Sequence, residues 1–231
     1  MYVEKGTISE DLKELLALPH HVKSFAKDSY LFQEGDKIQH LFFLTKGKVQ
    51  LNKVSSDGRE LTLRICGEGQ LLGEVYLYSP DAHYMLDAKV KEDATCYLFP
   101  IKELENELQH NSKLAAAFMK WMCLNQQKTQ TRFRDLLLNG KKGALYSTLI
   151  RLTNSYGVEK ADGILIDVHL TNQDLANFCG MAREVTNRML ADLKKQQVVS
   201  TMDGKLLIRN VNYLKNEIQC EHCPLTLCRI D

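Results

Sequence analysis

Three cysteines fall within nine residues of the sequence, in Cys220-Glu221-His222-Cys223-Pro224-Leu225-Thr226-Leu227-Cys228. The Cys-x2-Cys-x4-Cys spacing puts three soft thiolates within reach of one metal centre, and Pro224 stiffens the loop after the second. Three readings of this chemistry are open. One is an iron–sulfur cluster held by three cysteines and a fourth ligand from elsewhere. Another is structural zinc with His222 as the fourth donor, although a histidine between two of the cysteines is crowded for the same tetrahedral ion. The third is a loose, reactive tail. The other cysteines, Cys66, Cys96, Cys123 and Cys179, are scattered among apolar neighbours and read as buried structural thiols.

A second constellation is polar. In Ala182-Arg183-Glu184-Val185-Thr186-Asn187-Arg188-Met189-Leu190, residues Arg183, Glu184, Asn187 and Arg188 share one helix face by i, i+1, i+4, i+5 spacing. Val185, Met189, Leu190 and Leu193 fill the other side. Such a face can read base edges in the major groove; its bland alternative is a solvated face with Arg–Glu pairing. The flanking segments favour the first reading. Thr171-Asn172-Gln173-Asp174 is a capping-box pattern with Asp in place of the usual Glu or Gln. The helix over 173–178 ends at Cys179-Gly180, and a second helix runs over 182–195, which makes a helix-turn-helix. Beyond it, Val198-Val199-Ser200 and Leu206-Leu207-Ile208 flank Asp203-Gly204 as the hairpin of a wing.

The elements that must position these groups begin with a short helix over 7–18. Short runs broken by Gly and Asp then extend from Val22 to Phe99. Among them Val49-Gln50-Leu51-Asn52-Lys53-Val54, the turn Ser55-Ser56-Asp57-Gly58 and Leu61-Thr62-Leu63-Arg64-Ile65 form a hairpin of an antiparallel barrel or sandwich. After Pro100 the period becomes helical, first around Leu104 and Leu108, then in one helix over 111–139 ended by Gly140. Its stripe of Leu114, Phe118, Met122, Phe133 and Leu137 is too long for a small barrel to cover, so a dimer seam is expected. A helix over 141–156 and strands over 164–166 and 168–170 lead into the helix-turn-helix. The expected fold class is α+β: a cyclic-nucleotide-binding-like β-barrel (jelly roll), a long dimerisation helix and a winged helix-turn-helix. The expected domains are a sensor barrel (1–110), the dimer helix (111–140), the DNA-binding domain (141–215) and the cysteine tail (216–231).

Composition narrows the function. With 44% hydrophobic and 26% charged residues the chain can build an ordinary core, and its net charge of +1 means that any DNA contact must come from a local patch. No apolar run is long enough to span a bilayer, and residues 1–5 lack the basic-then-apolar layout of a signal peptide, so a cytoplasmic protein without membrane contact is expected. No P-loop, nucleophile elbow or dinucleotide fingerprint occurs, so no enzyme is expected.

Three stretches resemble the Crp/Fnr superfamily: Gly73-Glu74-Val75-Tyr76-Leu77, Leu170-Thr171-Asn172-Gln173-Asp174-Leu175-Ala176, and the recognition-helix segment 182–190. The resemblance implies a homodimer on double-stranded DNA, with RNA polymerase as a further partner. It places Arg183, Glu184 and Arg188 at base-reading positions for inverted repeats resembling TGTGA. Gly73-Glu74 resembles a cyclic-nucleotide cassette, but the region that should supply an Arg-Ser phosphate clamp reads Asp81-Ala82-His83-Tyr84-Met85-Leu86-Asp87. Without a cation a cyclic phosphate loses its main partner, so no cyclic nucleotide is expected. The tail, together with the stretch from Arg134-Asp135-Leu136 to Ala144-Leu145-Tyr146, is similar to the Bacillus-type Fnr regulators. That likeness implies an oxygen-labile 4Fe–4S cluster held by Cys220, Cys223, Cys228 and Asp135. Rival fourth ligands are Cys123, Cys179 and Asp231, and Asp135 could instead be an ion-pair partner of Arg132 or Arg134.

Overall fold

The computed structural model describes residues 8–73, 76–221 and 223–231. Expectations that rest on residues 1–5, Thr7, Glu74, Val75 or His222 lie outside them. The chain divides into two compact units: residues up to Gly58 with Leu63–Cys123 and Asp231, and Arg59–Thr62 with Leu124–Ile230.

The first unit is built on strands β1 (His21–Phe25), β2 (His40–Val54), the part of β3 (Glu60–Cys66) from Leu63 onward, β4 (Gln70–Leu72) and β5 (Asp87–Pro100). They form an antiparallel sheet in the order β1-β5-β2-β3, with β4 also paired to β2. The run Leu41-Phe42-Phe43-Leu44 carries no polar residue because both faces of the sheet are covered there. Side chains alternate across a strand. Phe42 and Leu44 therefore enter one core with Phe32, Leu72, Tyr84 and Leu98. Leu41 and Phe43 enter a second core with Leu12, Leu15, Leu71, Phe99 and Leu104. Tyr84 is a core residue: its ring stacks on Phe32 at 3.8 Å and its hydroxyl donates to the His40 carbonyl at 2.9 Å. Met85 is exposed.

The second core is roofed by helices. The segment expected as an ordinary helix near the start is a 3-10 helix, Glu10–Ala17. Helix α1 (Ile101–His110) follows the sheet, and Asn111 opens α2 (Ser112–Leu138) by accepting the Leu114 N–H at 3.0 Å. Here the expected seam needs correction. Leu114 and Phe118 are 0% and 1% exposed in the second core, so they pack within the protomer and cannot face a partner. The apolar groups that α2 leaves exposed are Met119, Met122, Phe133, Leu137 and Leu138. A second correction concerns Cys123, which is exposed, whereas Cys66, Cys96 and Cys179 are buried as expected. Burial pushes the Cys96 and Cys179 thiols up to about 12, which leaves them protonated and inert at neutral pH.

The second unit continues from α2 into α3 (Gly140–Tyr156), β6 (Gly157–Lys160), β7 (Gly163–Ile166), α4 (Asn172–Cys179), α5 (Arg183–Lys195), β8 (Val199–Met202), β9 (Lys205–Ile208) and α6 (Val211–Glu217). Its strands pair in the order β6-β7-β9-β8. The strand expected over 168–170 does not form. The Val168 N–H turns back to the Ile166 carbonyl at 2.9 Å, a three-residue turn that ends the strand. Strand β7 pairs with β9 and with β6, a strand the sequence did not signal, because its Gly-Val-Glu-Lys run carries no clear alternation.

Because Phe118 belongs to the core of the first unit, Phe118→Ala should destabilise it by about 3–5 kcal/mol. Urea unfolding followed by the fluorescence of neighbouring Trp121 checks this; a change within 1 kcal/mol of wild type would contradict the packing.

Candidate metal centre and nucleic-acid interface

Asp135 lies in the last turn of α2, and the chain then bends at Asn139 into α3. Gly143 makes that bend possible. A Cβ there would stand 2.0 Å from the Asn139 Cβ and 2.9 Å from the Asp135 carbonyl oxygen, so a side chain would push α3 away from the end of α2. With the bend in place, Arg151, on the apolar helix α3, reaches Asp135. The pair is buried at 2% and 6% residue exposure, with Arg151 Nη2 to Asp135 Oδ2 at 2.8 Å. The other carboxylate oxygen accepts from Arg134 Nε and Nη2 at 3.2 and 2.9 Å. Arg134, and not Arg132, is therefore one ion-pair partner of Asp135; Arg132 turns to the face of Phe178. Arg151 was not among the expected partners. Its signal was a lone cation within Leu149-Ile150-Arg151-Leu152.

The cysteine tail docks on the same helix. The Leu227 carbonyl accepts from Arg151 Nη1 at 2.9 Å, and the Cys228 carbonyl from Asn154 Nδ2 at 2.7 Å. The Ile230 N–H donates to Ser155 Oγ at 2.9 Å. The Leu227 and Cys228 N–H groups both bond to the Pro224 carbonyl, a tight turn that folds Cys228 back toward Cys223. Arg134 reaches the tail as well, through Glu221 and through Cys223 Sγ at 3.6 Å.

The result is a cavity of about 200 Å³ lined by Asp135, Cys220, Cys223, Cys228, Arg134 and Arg151 among others. All four residues expected as cluster ligands line it. Burial pushes the Cys228 thiol up, the Arg151 guanidinium works against that rise, and Cys220, Cys223 and Asp135 add to it. Asp135 and Cys223 hold the Arg134 guanidinium more firmly protonated than usual. Of the rival fourth ligands, Cys179 bonds to Thr148 and lies outside the cavity, as do exposed Cys123 and Asp231, which falls in the first unit. Among the described residues no three His, Cys, Asp or Glu groups converge closely enough to hold a single metal ion. The donors ring a cavity instead.

The polar constellation is laid out by α4 and α5. Thr171 accepts the Asp174 N–H at 3.1 Å and its own N–H donates to Asp174 Oδ2 at 2.8 Å, so the shorter Asp completes the capping box. Gly180, at φ +59°, turns the chain between the helices in a conformation that side chains rarely adopt. At the start of α5, Arg183, Glu184 and Arg188 are exposed together. Asn187 is half-buried and tied to α4, accepting from Asn172 Nδ2 at 2.7 Å. The buried side is Thr186, Leu190 and Leu193; Thr186, fully buried, was not anticipated, because a threonine in a polar stretch reads as surface. The wing closes through Asp203 and Gly204, both at positive φ, between Met202 and Lys205.

A capped helix, a glycine turn, a polar second helix and a β-hairpin define a winged helix-turn-helix DNA-binding protein. Residues 22–111 match the cyclic nucleotide-binding domain family and residues 143–217 the Crp-like helix-turn-helix domain family. The chain is 50% identical over 229 residues to the anaerobic regulatory protein of Bacillus subtilis, covering 99% of this chain and 96% of that one. It is 27% identical to a global nitrogen regulator of Nostoc, over 92% and 90% of the two chains. Two solved structures share the fold: CooA of Carboxydothermus hydrogenoformans (TM-score 0.76, 17% identity, 93% and 99% covered) and the c-di-GMP responsive regulator CLP of Xanthomonas campestris (0.74, 18%, 87% and 98%). The chain belongs to the Crp/Fnr family of transcription regulators, and its relatives are regulators, not enzymes.

In metal-free protein, Asp135→Asn should leave Arg151 as an uncompensated buried charge and cost about 3–5 kcal/mol. Glu221→Gln, which breaks an exposed pair, should cost at most about 1 kcal/mol. Comparing the two variants by thermal unfolding checks the burial argument.

Proposed function

We propose that the chain is an anaerobic, oxygen-responsive transcription regulator in which a 4Fe–4S cluster controls binding to TGTGA-type inverted repeats. The observation that carries this reading is the shared cavity of Cys220, Cys223, Cys228 and Asp135. Donors that ring a cavity suit a polynuclear group, whose ligands bond different metal atoms, better than one zinc ion, whose ligands stand about 4 Å apart. The near-full-length likeness to an anaerobic regulatory protein supports the same reading. When bound, the cluster supplies oxygen-labile metal–ligand bonds.

The protein's own residues do the rest. Cys220, Cys223 and Cys228 hold the segment after α6, and Asp135 holds the end of α2. Together they tie the DNA-binding elements to the long helix and favour one placement of α5. A carboxylate is a harder ligand than a thiolate, so the tie is weakest at Asp135. Once it is lost, Asp135 rests on Arg134 and Arg151 alone, and α5 is no longer held. Thr171 caps the helix that supports α5 and, at its N-terminus, joins the DNA-contacting residues. Arg183, Glu184, Asn187 and Arg188 form the reading face, with Arg183 forking onto a guanine. The barrel (1–110) binds no cyclic nucleotide, the helix (111–140) forms a homodimer, the winged domain (141–215) engages double-stranded DNA and the tail (216–231) holds the cluster. The protein acts in the cytoplasm, with RNA polymerase as partner. The seam is the exposed set Met119, Met122, Phe133 and Leu137, which sets the two α5 helices about 34 Å apart, one DNA turn.

An optical spectrum of protein purified without oxygen is the first test: broad visible absorption that bleaches in air is expected, and a colourless protein with bound zinc would overturn the reading. The anaerobic holoprotein should bind an inverted repeat tightly, while air-treated protein and Cys223→Ala should not; equal binding by all three would mean that the cluster is not the switch. Arg183→Ala should cost about 1–3 kcal/mol on the cognate site and little on random DNA. Phe133→Asp should yield monomers by sedimentation, because it places a charge in the seam; a clean dimer would remove Phe133 from it.

A further inference from the structure

An arginine is charged at every physiological pH and is rarely buried without partners that account for it. Arg151 is 2% exposed, and its known partners leave a surplus. Nη2 bonds to Asp135 and Nη1 to the Leu227 carbonyl, while Nε is buried with no partner. Asp135 already has Arg134 on its other oxygen, so two guanidinium groups meet one carboxylate at the cavity wall. Glu221, which pairs with Arg134, is largely exposed and compensates little inside. Two guanidinium groups and two carboxylates line the cavity, but the buried Arg151 has only a carboxylate that it shares with Arg134, an arrangement that favours a negative occupant beside it.

We propose that Arg151 is a positioning residue and counter-charge of the metal centre: it aligns Asp135 through Nη2, fixes the Cys223–Cys228 loop through Nη1 and the Leu227 carbonyl, and opposes the charge of the negatively charged group that the thiolates bind. The inference rests on the iron–sulfur reading above. Three thiolates and a carboxylate around an iron–sulfur core leave the loaded site net negative, which is the charge that Arg151 opposes. Lysine could supply the charge but not the fork, because one ammonium cannot hold Asp135 and the Leu227 carbonyl in a fixed plane. Arg151 touches the ligands, not DNA, so its effect belongs to the stability and potential of the bound group.

The test uses the full chain, reconstituted anaerobically with ferrous iron and sulfide, as wild type, Arg151→Gln and Arg151→Lys. Iron and acid-labile sulfide per chain, loss of visible absorption to a chelator, and the midpoint potential in a dye-mediated titration are measured. Circular dichroism of each apoprotein reports folding. Arg151→Lys should fold and load but lose iron about 10–100-fold more readily, the usual effect of removing a group that orients a ligand. Its potential should stay near that of wild type because the charge remains. Arg151→Gln should lose iron at least as readily, and its potential should fall, since removing a nearby cation disfavours the more negative reduced state. A purely structural role would not move the potential. Should Arg151→Gln fail to fold, the lysine variant decides: chelator loss equal to wild type overturns the proposal. Equal potentials in a folded, loaded Arg151→Gln also overturn it. If wild type itself takes up no iron and sulfide, the iron–sulfur reading falls first and this inference with it, a result visible before any substitution is compared.

Discussion

Asp135 can be buried and charged only because cations meet it on both sides, and the architecture around the cavity follows from how they get there. Arg134 is its chain neighbour and needs no fold to reach it. Arg151 is sixteen residues away and reaches it only after α2 ends, the chain bends, and α3 packs close enough to need a glycine at position 143. Desolvating the two charges costs several kcal/mol each, and their attraction offsets this only with good geometry and further hydrogen bonds. The Leu227 carbonyl supplies one such bond. The arginine that satisfies the carboxylate therefore also recruits the tail, and Asn154 and Ser155 extend the docking along the same helix. One buried pair thus sets the positions of the end of α2, the middle of α3 and the cysteine loop.

The recognition face depends on different forces. The helix-turn-helix is fixed locally by the Thr171–Asp174 box, the Gly180 turn and the buried row Thr186, Leu190 and Leu193. Its exposed arginines supply a local patch in a chain whose net charge is +1. DNA contact therefore draws little on the field of the whole protein and depends on where α5 is held.

In the first unit, a sheet with both faces covered allows uninterrupted apolar strands, and its outer face consumes the first part of α2. Leu114, Ala117 and Phe118 are spent there. The apolar groups further along, Phe133, Leu137 and Leu138, remain exposed. The stripe read as one seam therefore divides, with Leu114 and Phe118 in the core and Met122, Phe133 and Leu137 exposed.

The sequence by itself determined what depends on neighbours along the chain. The capping box, the Gly180 turn, the recognition helix, the wing turn and the length of α2 are local, and each stands where the residues indicated. The closeness of Cys220, Cys223 and Cys228 was likewise local, because it needs only the short turn on the Pro224 carbonyl. Tertiary structure decided which side of α2 the barrel covers, that residues 157–160 form a strand on β7 while 168–170 form none, that Cys123 faces outward, and that Arg151 joins Asp135. These outcomes turn on contacts between segments distant in sequence, where burial and charge compensation select one partner among several that local pattern leaves equivalent. Arg132 and Arg134 were both near enough in sequence to pair with Asp135. Only the packing of α3 on α2 shows that Arg132 turns away and that the deeper partner comes from another helix.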